Sequence, residues 1–125
     1  MQRKRRPATM TLAQKMKRKE EMRRSPRVKL YTPLRYQVRG ESLSENFLTD
    51  DVSARGIGFT SNKFIAPRTI VMLEFSVLSR AIRPVGRVSW SETLPHSDRF
   101  RAGVEFIEID PGERNFLSDY VNIHL

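Results

Sequence analysis

The sequence predicts a mainly β fold, an antiparallel barrel or sandwich, with a C-terminal α-helix and a basic N-terminal leader. Three observations predict this class: six segments of strand length, a helix-start signature after residue 109, and positive charge concentrated in the first 30 residues. A chain of 125 residues is long enough for one domain with a single core once the leader is subtracted.

The leader, residues 1–21, carries most of the excess charge. The first 30 residues contain 12 of the 23 Lys and Arg but only two of the 14 Asp and Glu, whereas residues 31–125 are nearly neutral. Thr11 and Gln14 have the form of a capping box ahead of good helix formers, residues 12–22, yet no apolar stripe accompanies them. A flexible or partly helical leader is therefore predicted.

Pro26 separates the leader from the first predicted strand. Proline lacks an amide hydrogen and disfavours helical angles at the residue before it, Ser25. We therefore expect Arg23 and Arg27 to lie on a bent, extended and exposed linker rather than on one face of a helix.

The middle of the chain is predicted to form six strands. Each segment mixes β-branched and aromatic residues with polar ones, and turn formers such as Gly40, Pro67 and Ser79 separate them. The predicted strands are residues 28–38, 44–52, 56–61, 69–77, 81–90 and 100–109.

The last predicted element is a helix that closes the barrel. Asp110 is the expected N-cap, Pro111 the first helical residue, and Glu113 completes a capping box. An apolar face repeats at helical spacing and is expected to pack on the strands; it comprises Phe116, Leu117, Tyr120 and Val121.

The residue types that enzymes require are absent or badly spaced. There is no cysteine, hence no thiolate metal site or cysteine nucleophile, and His96 and His124 lack the spacing of a metal site or triad. Asp50 and Asp51 are neighbours on a predicted strand, where they are expected to point to opposite faces. No glycine-rich phosphate loop is present. We predict that the protein is not an enzyme and needs no cofactor or metal.

The sequence indicates neither a membrane span nor a secretory signal. No apolar run approaches the roughly 18 residues of a membrane span, and the charged N-terminus is not followed by the apolar stretch of a secretory signal. A cytoplasmic location is predicted.

Two motifs remain. Arg23 and Arg27 form R-x-x-x-R, which alone carries little information because the 17 arginines produce three such pairs. The segment DVSARG, residues 51–56, matches D/N-x-S-x-x-G, a pattern expected by chance only about 0.04 times in this composition.

In this order and spacing the two motifs resemble the PilZ family of bacterial cyclic di-GMP receptors. The segments GRVSW, residues 86–90, and AGVEFIEID, residues 102–110, look like later strands of that family. The resemblance implies a six-stranded antiparallel β-barrel in a PilZ-like domain that spans residues 22–125 and includes the arginine linker. The leader is left unexplained.

The resemblance also implies a binding site for cyclic di-GMP, whose two phosphates and two guanines suit arginine forks and a carboxylate. Arg23 and Arg27 would bind the phosphates or the guanine edges, and the Asp51 carboxylate would accept hydrogen bonds from the N–H groups of a guanine. The remaining expected contacts are a hydroxyl from Ser53, close backbone approach at Gly56, added charge from Arg24 and a guanine contact from Trp90.

The expected function is a receptor that signals by ordering its arginine linker and presenting a new surface to an unknown effector protein. Two alternatives stay open: a PilZ-like adaptor without nucleotide binding, and a small basic barrel that binds nucleic acid through the leader. The neutral barrel has no aromatic stacking platform beside arginines, so no DNA or RNA partner is expected. The leader remains able to contact an acidic surface.

Overall fold

A closed six-stranded antiparallel barrel with one C-terminal helix forms the domain. The computed structural model describes Leu12 and residues 25–125; the predicted leader helix otherwise lies outside the described residues. The elements are β1 Val28–Lys29, β2 Pro33–Val38, β3 Glu45–Val52, β4 Gly56–Ser61, β5 Ile70–Val77, β6 Arg80–Ile82, β7 Val85–Thr93, β8 Phe100–Glu108 and α1 Pro111–His124.

The barrel follows the strand order β3–β2–β5–β7–β8–β4, and β4 pairs back onto β3 to close it. The short strand β1 extends the pairing along β3, and β6 forms a hairpin with β5. Closure leaves no long unpaired edge among these strands. The prediction of a six-stranded barrel is confirmed.

Two of the six predicted strand segments are interrupted. Between β1 and β2 the buried hydroxyl of Thr49 donates to the carbonyl of Leu30 and accepts from the amide of Thr32 at 3.0 Å, so a side chain joins the backbone hydrogen bonds there. Between β6 and β7 lies Pro84, which has no amide hydrogen to donate.

The core occupies the barrel interior and is continuous with the apolar face of α1. Strand residues alternate between buried and more exposed positions, as in Ile70–Val77, and β4 contributes Ile57 and Phe59 to the interior. Leu117 and Val121 are buried in the same cluster, with Phe116 and Tyr120 packed against it, so the predicted helix face is confirmed.

The N-terminus of α1 differs in one detail from the predicted capping box. Asp110 is the N-cap, and its carboxylate accepts from the amides of Gly112 and Glu113 at 2.9 and 3.2 Å. The Glu113 carboxylate does not complete the box, because it accepts from the amide of Arg83 at 3.0 Å. The helix start is thereby tied to the interruption between β6 and β7.

A β-bulge at Asp50 changes the direction of two neighbouring side chains. The pairing of β3 with β4 passes from Thr49 opposite Phe59 to Asp51 opposite Gly58, so Asp50 is an extra residue. Both carboxylates consequently lie on the outer face of the barrel, where each approaches Arg101. The expectation that Asp50 and Asp51 point to opposite faces is wrong, because strict alternation fails at a bulge.

Candidate functional site

A row of four residues crosses four neighbouring strands on the outer surface of the barrel. Trp90 on β7 lies opposite Gly103 on β8, Gly103 opposite Gly58 on β4, and Gly58 opposite Asp51 on β3. We call the outer surface of these four strands the site face. Two glycines thus form its floor, with an indole at one end and a carboxylate at the other.

The two glycines are required by the side chains beside them. A Cβ at Gly103 would overlap the indole ring of Trp90, with Nε1 the nearest atom, and a Cβ at Gly58 would lie 2.7 Å from Oδ1 of Asp51. The indole therefore lies over one glycine and the carboxylate over the next, and facing positions on neighbouring strands are only about 5 Å apart. Sequence reasoning missed both residues, although a glycine inside a strand is a signal of close approach.

Trp90 belongs to the site face and not to the core. Its neighbours Val88 and Val104 are buried, whereas Trp90 is half-buried and lies on Gly103. The structure therefore leaves part of the indole accessible for contact with a planar ligand.

Arg27 is bound to Asp51 directly. The Nη2 and Nε atoms of Arg27 donate to Oδ1 of Asp51 at 2.8 and 3.2 Å, although the residues are 24 positions apart. The Arg27 and Asp51 side chains are only 17% and 28% exposed. Lys29 on β1 pairs with Asp51 on β3, and this pairing brings Arg27, two residues before Lys29, next to Asp51.

This placement corrects the expectation of an exposed linker side chain at Arg27. Strand β1 begins one residue after Arg27 and attaches the chain to the barrel. Arg23 and Arg24, also predicted to bind ligand, lie outside the described residues.

A second arginine approaches the other oxygen of Asp51. The Nη2 atom of Arg101, on β8, lies 3.7 Å from Oδ2 of Asp51, and its Nε lies 3.4 Å from Oδ2 of Asp50. Asp50 also accepts from the hydroxyl of Thr60 at 2.9 Å. Sequence reasoning assigned no role to Asp50, Thr60 or Arg101, since only the bulge and the strand register bring them together.

Ser53 and Gly56 form the turn that joins β3 to β4. The fully buried hydroxyl of Ser53 accepts from the amides of Arg55 and Gly56, each at 3.1 Å, and the Ser53 amide donates to the Gly56 carbonyl at 2.9 Å. Gly56 is buried and lies opposite Glu105 of β8. In the structure these two residues shape the turn behind Asp51; their contacts with ligand stay predictions.

The remaining polar candidates do not converge. His96 lies in an exposed loop with φ 56°, and His124 is exposed at the end of α1, where its ring contacts Tyr120. Within residue 12 and residues 25–125, no three His, Asp or Glu side chains are grouped as a metal site would require. The helices in that part of the chain include none with the length and apolar character needed to cross a membrane.

Comparisons with known proteins identify the family of the chain. The PilZ domain family matches residues 21–122, and the chain therefore belongs to the PilZ domain family. An uncharacterized protein of Aquifex aeolicus (strain VF5) is 28% identical over 102 residues, which cover 81% of this chain and 48% of that protein. The chain thus spans about half the length of this curated relative.

Two solved structures share the fold. The Bacillus subtilis inhibitor of motility MotI/DgrA matches with a TM-score of 0.69 at 18% identity, over 79% of this chain and 49% of that one. The PilZ domain of CeSA from a cellulose-synthesizing bacterium matches with a TM-score of 0.55 at 12% identity, over 77% of this chain and 94% of that one. At these identities the likeness establishes the barrel fold.

Proposed function

We propose that this PilZ domain is a receptor that binds cyclic di-GMP on the site face without changing it chemically. One observation carries the proposal: the second arginine of R-x-x-x-R and the aspartate of D/N-x-S-x-x-G, 24 residues apart, are in contact at 2.8 Å. Two motifs that are separate in the sequence therefore form one charged site beside an accessible indole and a glycine floor.

The polar groups of the site match the ligand in kind. Two hydrogen bonds from Arg27 go to Oδ1 of Asp51, and Oδ2 is the oxygen proposed to accept an N–H from a guanine. Trp90 offers an aromatic surface for a base. Phosphate contacts are assigned to Arg23 and Arg24, whose forks suit phosphate oxygens.

The signal in this proposal is ordering of the linker ahead of Arg27. Since β1 and Arg27 already contact the barrel, binding has to fix only a few further residues, at a cost of about 1–2 kcal/mol each. The ordered segment, together with the bound nucleotide, would present a new surface to an effector protein. The ligand is an intracellular second messenger, so this function requires a cytoplasmic domain.

Isothermal titration with cyclic di-GMP tests the proposal. We expect micromolar or tighter binding, equivalent to about −8 kcal/mol, and a loss of at least tenfold in Asp51→Ala. Arg27→Ala should also lose at least tenfold in affinity. Its matched control is Arg39→Ala, because Arg39 belongs to another R-x-x-x-R pair and is exposed. If the wild-type protein gives no heat at a ligand concentration 100-fold above the expected dissociation constant, the proposal is contradicted.

A second candidate is an adaptor that binds a protein without nucleotide. The observation in its favour is that Arg27 and Asp51 form an ion pair in the structure, so these two charges need no ligand to neutralise them. The same titration separates the two functions, since an adaptor of this kind gives no heat with the dinucleotide.

A further inference from the structure

Arg101 lies beside Oδ2 of Asp51, whereas the two hydrogen bonds from Arg27 go to Oδ1. The distance from its Nη2 to Oδ2 of Asp51 is 3.7 Å, which is too long for a hydrogen bond. The Arg101 side chain is 35% exposed, so it is accessible from the site face. An acceptor oxygen and a guanidinium donor are thus adjacent at the surface as an ion pair, with no hydrogen bond between them.

Asp50 and Thr60 hold Arg101 in this position. The Thr60 hydroxyl donates to Oδ2 of Asp50 at 2.9 Å, and the same oxygen lies 3.4 Å from Nε of Arg101. That Nε is shielded from solvent and has no aligned hydrogen-bond partner among the described residues. The guanidinium is therefore anchored through charge at its Nε side, while its Nη2 lies near Oδ2 of Asp51.

An adjacent donor and acceptor of this kind are complementary to one edge of guanine. Guanine presents the O6 acceptor next to the N1–H donor, whereas adenine presents the N6 amino donor next to the N1 acceptor. A carboxylate alone can hydrogen-bond only the N1–H donor of guanine, whereas a carboxylate with a guanidinium beside it can bind both N1–H and O6. Adenine would place its N6 donor against the guanidinium and its N1 acceptor against the carboxylate, so both contacts would be mismatched.

We infer that Arg101 is a further specificity-determining residue, which donates to guanine O6 while Oδ2 of Asp51 accepts from N1–H, and that Asp50 is its positioning residue. The inference rests on the proposed function, since it names how the same site selects its base. It also gives a role to the β-bulge at Asp50, which brings the second carboxylate to the site face.

The decisive measurement is the ratio of the affinities for cyclic di-GMP and cyclic di-AMP. Loss of a positive charge weakens both dinucleotides alike, because they carry the same phosphates, whereas loss of the O6 contact weakens only cyclic di-GMP. We expect Arg101→Ala to lower this ratio about tenfold. Arg99→Ala, which removes an exposed arginine two positions earlier, should leave the ratio unchanged.

Asp50→Asn distinguishes positioning from simple electrostatics. The substitution keeps the shape of the side chain and makes the site more positive, so electrostatic attraction alone predicts tighter binding of an anionic dinucleotide. We expect instead a three- to tenfold weaker affinity for cyclic di-GMP, because Arg101 loses its anchor. Tighter binding by Asp50→Asn would overturn the positioning role.

The outcomes separate the inference from the proposed function. If the wild-type protein binds neither dinucleotide, both fail together. If it binds cyclic di-GMP and Arg101→Ala keeps the wild-type ratio, the inference alone is overturned. Far-UV circular dichroism checks the fold of each variant, and Arg101→Lys, which keeps the charge without the planar fork, should also lower the ratio if Arg101→Ala fails to fold.

Discussion

The site face and the far face of the barrel, the outer surface of β2 and β5, use ion pairs in different ways. On the far face, Glu74 lies 3.8 Å from Arg35 and 3.3 Å from Arg83, and both arginine side chains are more than 60% exposed. On the site face, Arg27 and Asp51 are at most 28% exposed and form two aligned hydrogen bonds.

The backbone differs between the two faces as well. Strands β2 and β5 pair without interruption from Leu34 opposite Phe75 to Val38 opposite Val71. The site face contains bulges in β3 and β7 and the two glycines of its floor. Ion pairs are present on both faces, so they do not distinguish the candidate site. Irregular pairing and missing side chains distinguish it, because they let side chains approach the barrel backbone.

The largest expected effect comes from a substitution in the core, Phe106→Ala. It should destabilise the whole barrel, because the site face and the far face pack on the same core. Phe106 is buried and stacks on Phe75 with ring centroids 6.3 Å apart. We expect Phe106→Ala to lower the free energy of unfolding by about 3–5 kcal/mol through a cavity. Chemical denaturation measures the loss, and the affinity of the protein that remains folded at low temperature should stay within a fewfold of wild type.

A substitution in the glycine floor should give the clearest difference in ligand affinity between the site face and the far face. In Gly103→Val the new side chain would displace the indole of Trp90, and we expect affinity for cyclic di-GMP to fall about 100-fold. The matched control is Ser76→Val on the exposed side of β5, which should leave affinity within about threefold of wild type. Similar titration curves for the two variants would show that the ligand does not use the floor.

Arg27→Ala should affect stability and binding together. The linker arginine was expected to be exposed, but its two charge-assisted hydrogen bonds predict a loss of about 1–2 kcal/mol in the free energy of unfolding. Affinity should fall at least tenfold. Thermal and chemical unfolding measure the loss, and Arg35→Ala is the control because the Arg35 side chain is exposed. Equal losses of stability in the two variants would mean that burial of the Arg27–Asp51 pair contributes nothing.

The smallest effect is expected on the far face. Glu74→Gln removes both ion pairs there, yet exposed pairs contribute little, so the free energy of unfolding should change by less than about 0.5 kcal/mol. Binding of cyclic di-GMP should not change. A loss above about 1 kcal/mol in chemical denaturation would show that the far-face charges form a stabilising network.

Local pattern was sufficient for most of the fold. The mixture of β-branched and aromatic residues with polar ones, bounded by turn formers, marked strand segments such as residues 69–77, and Asp110 with Pro111 marked the start of the helix. These signals depend on a residue and its near neighbours. The partner of Glu113 was not predictable in this way, since Arg83 reaches it from 30 positions away.

The same division applies to the site. The motif DVSARG identified Asp51 and its turn from the sequence alone, because spacing along the chain defines that pattern. The bulge at Asp50, the contact of Arg27 with Asp51 and the alignment of Gly58 with Gly103 were decided only by the tertiary structure. Each depends on which strands become neighbours and in what register, and strand register is set when the whole barrel closes around its core rather than by any single segment.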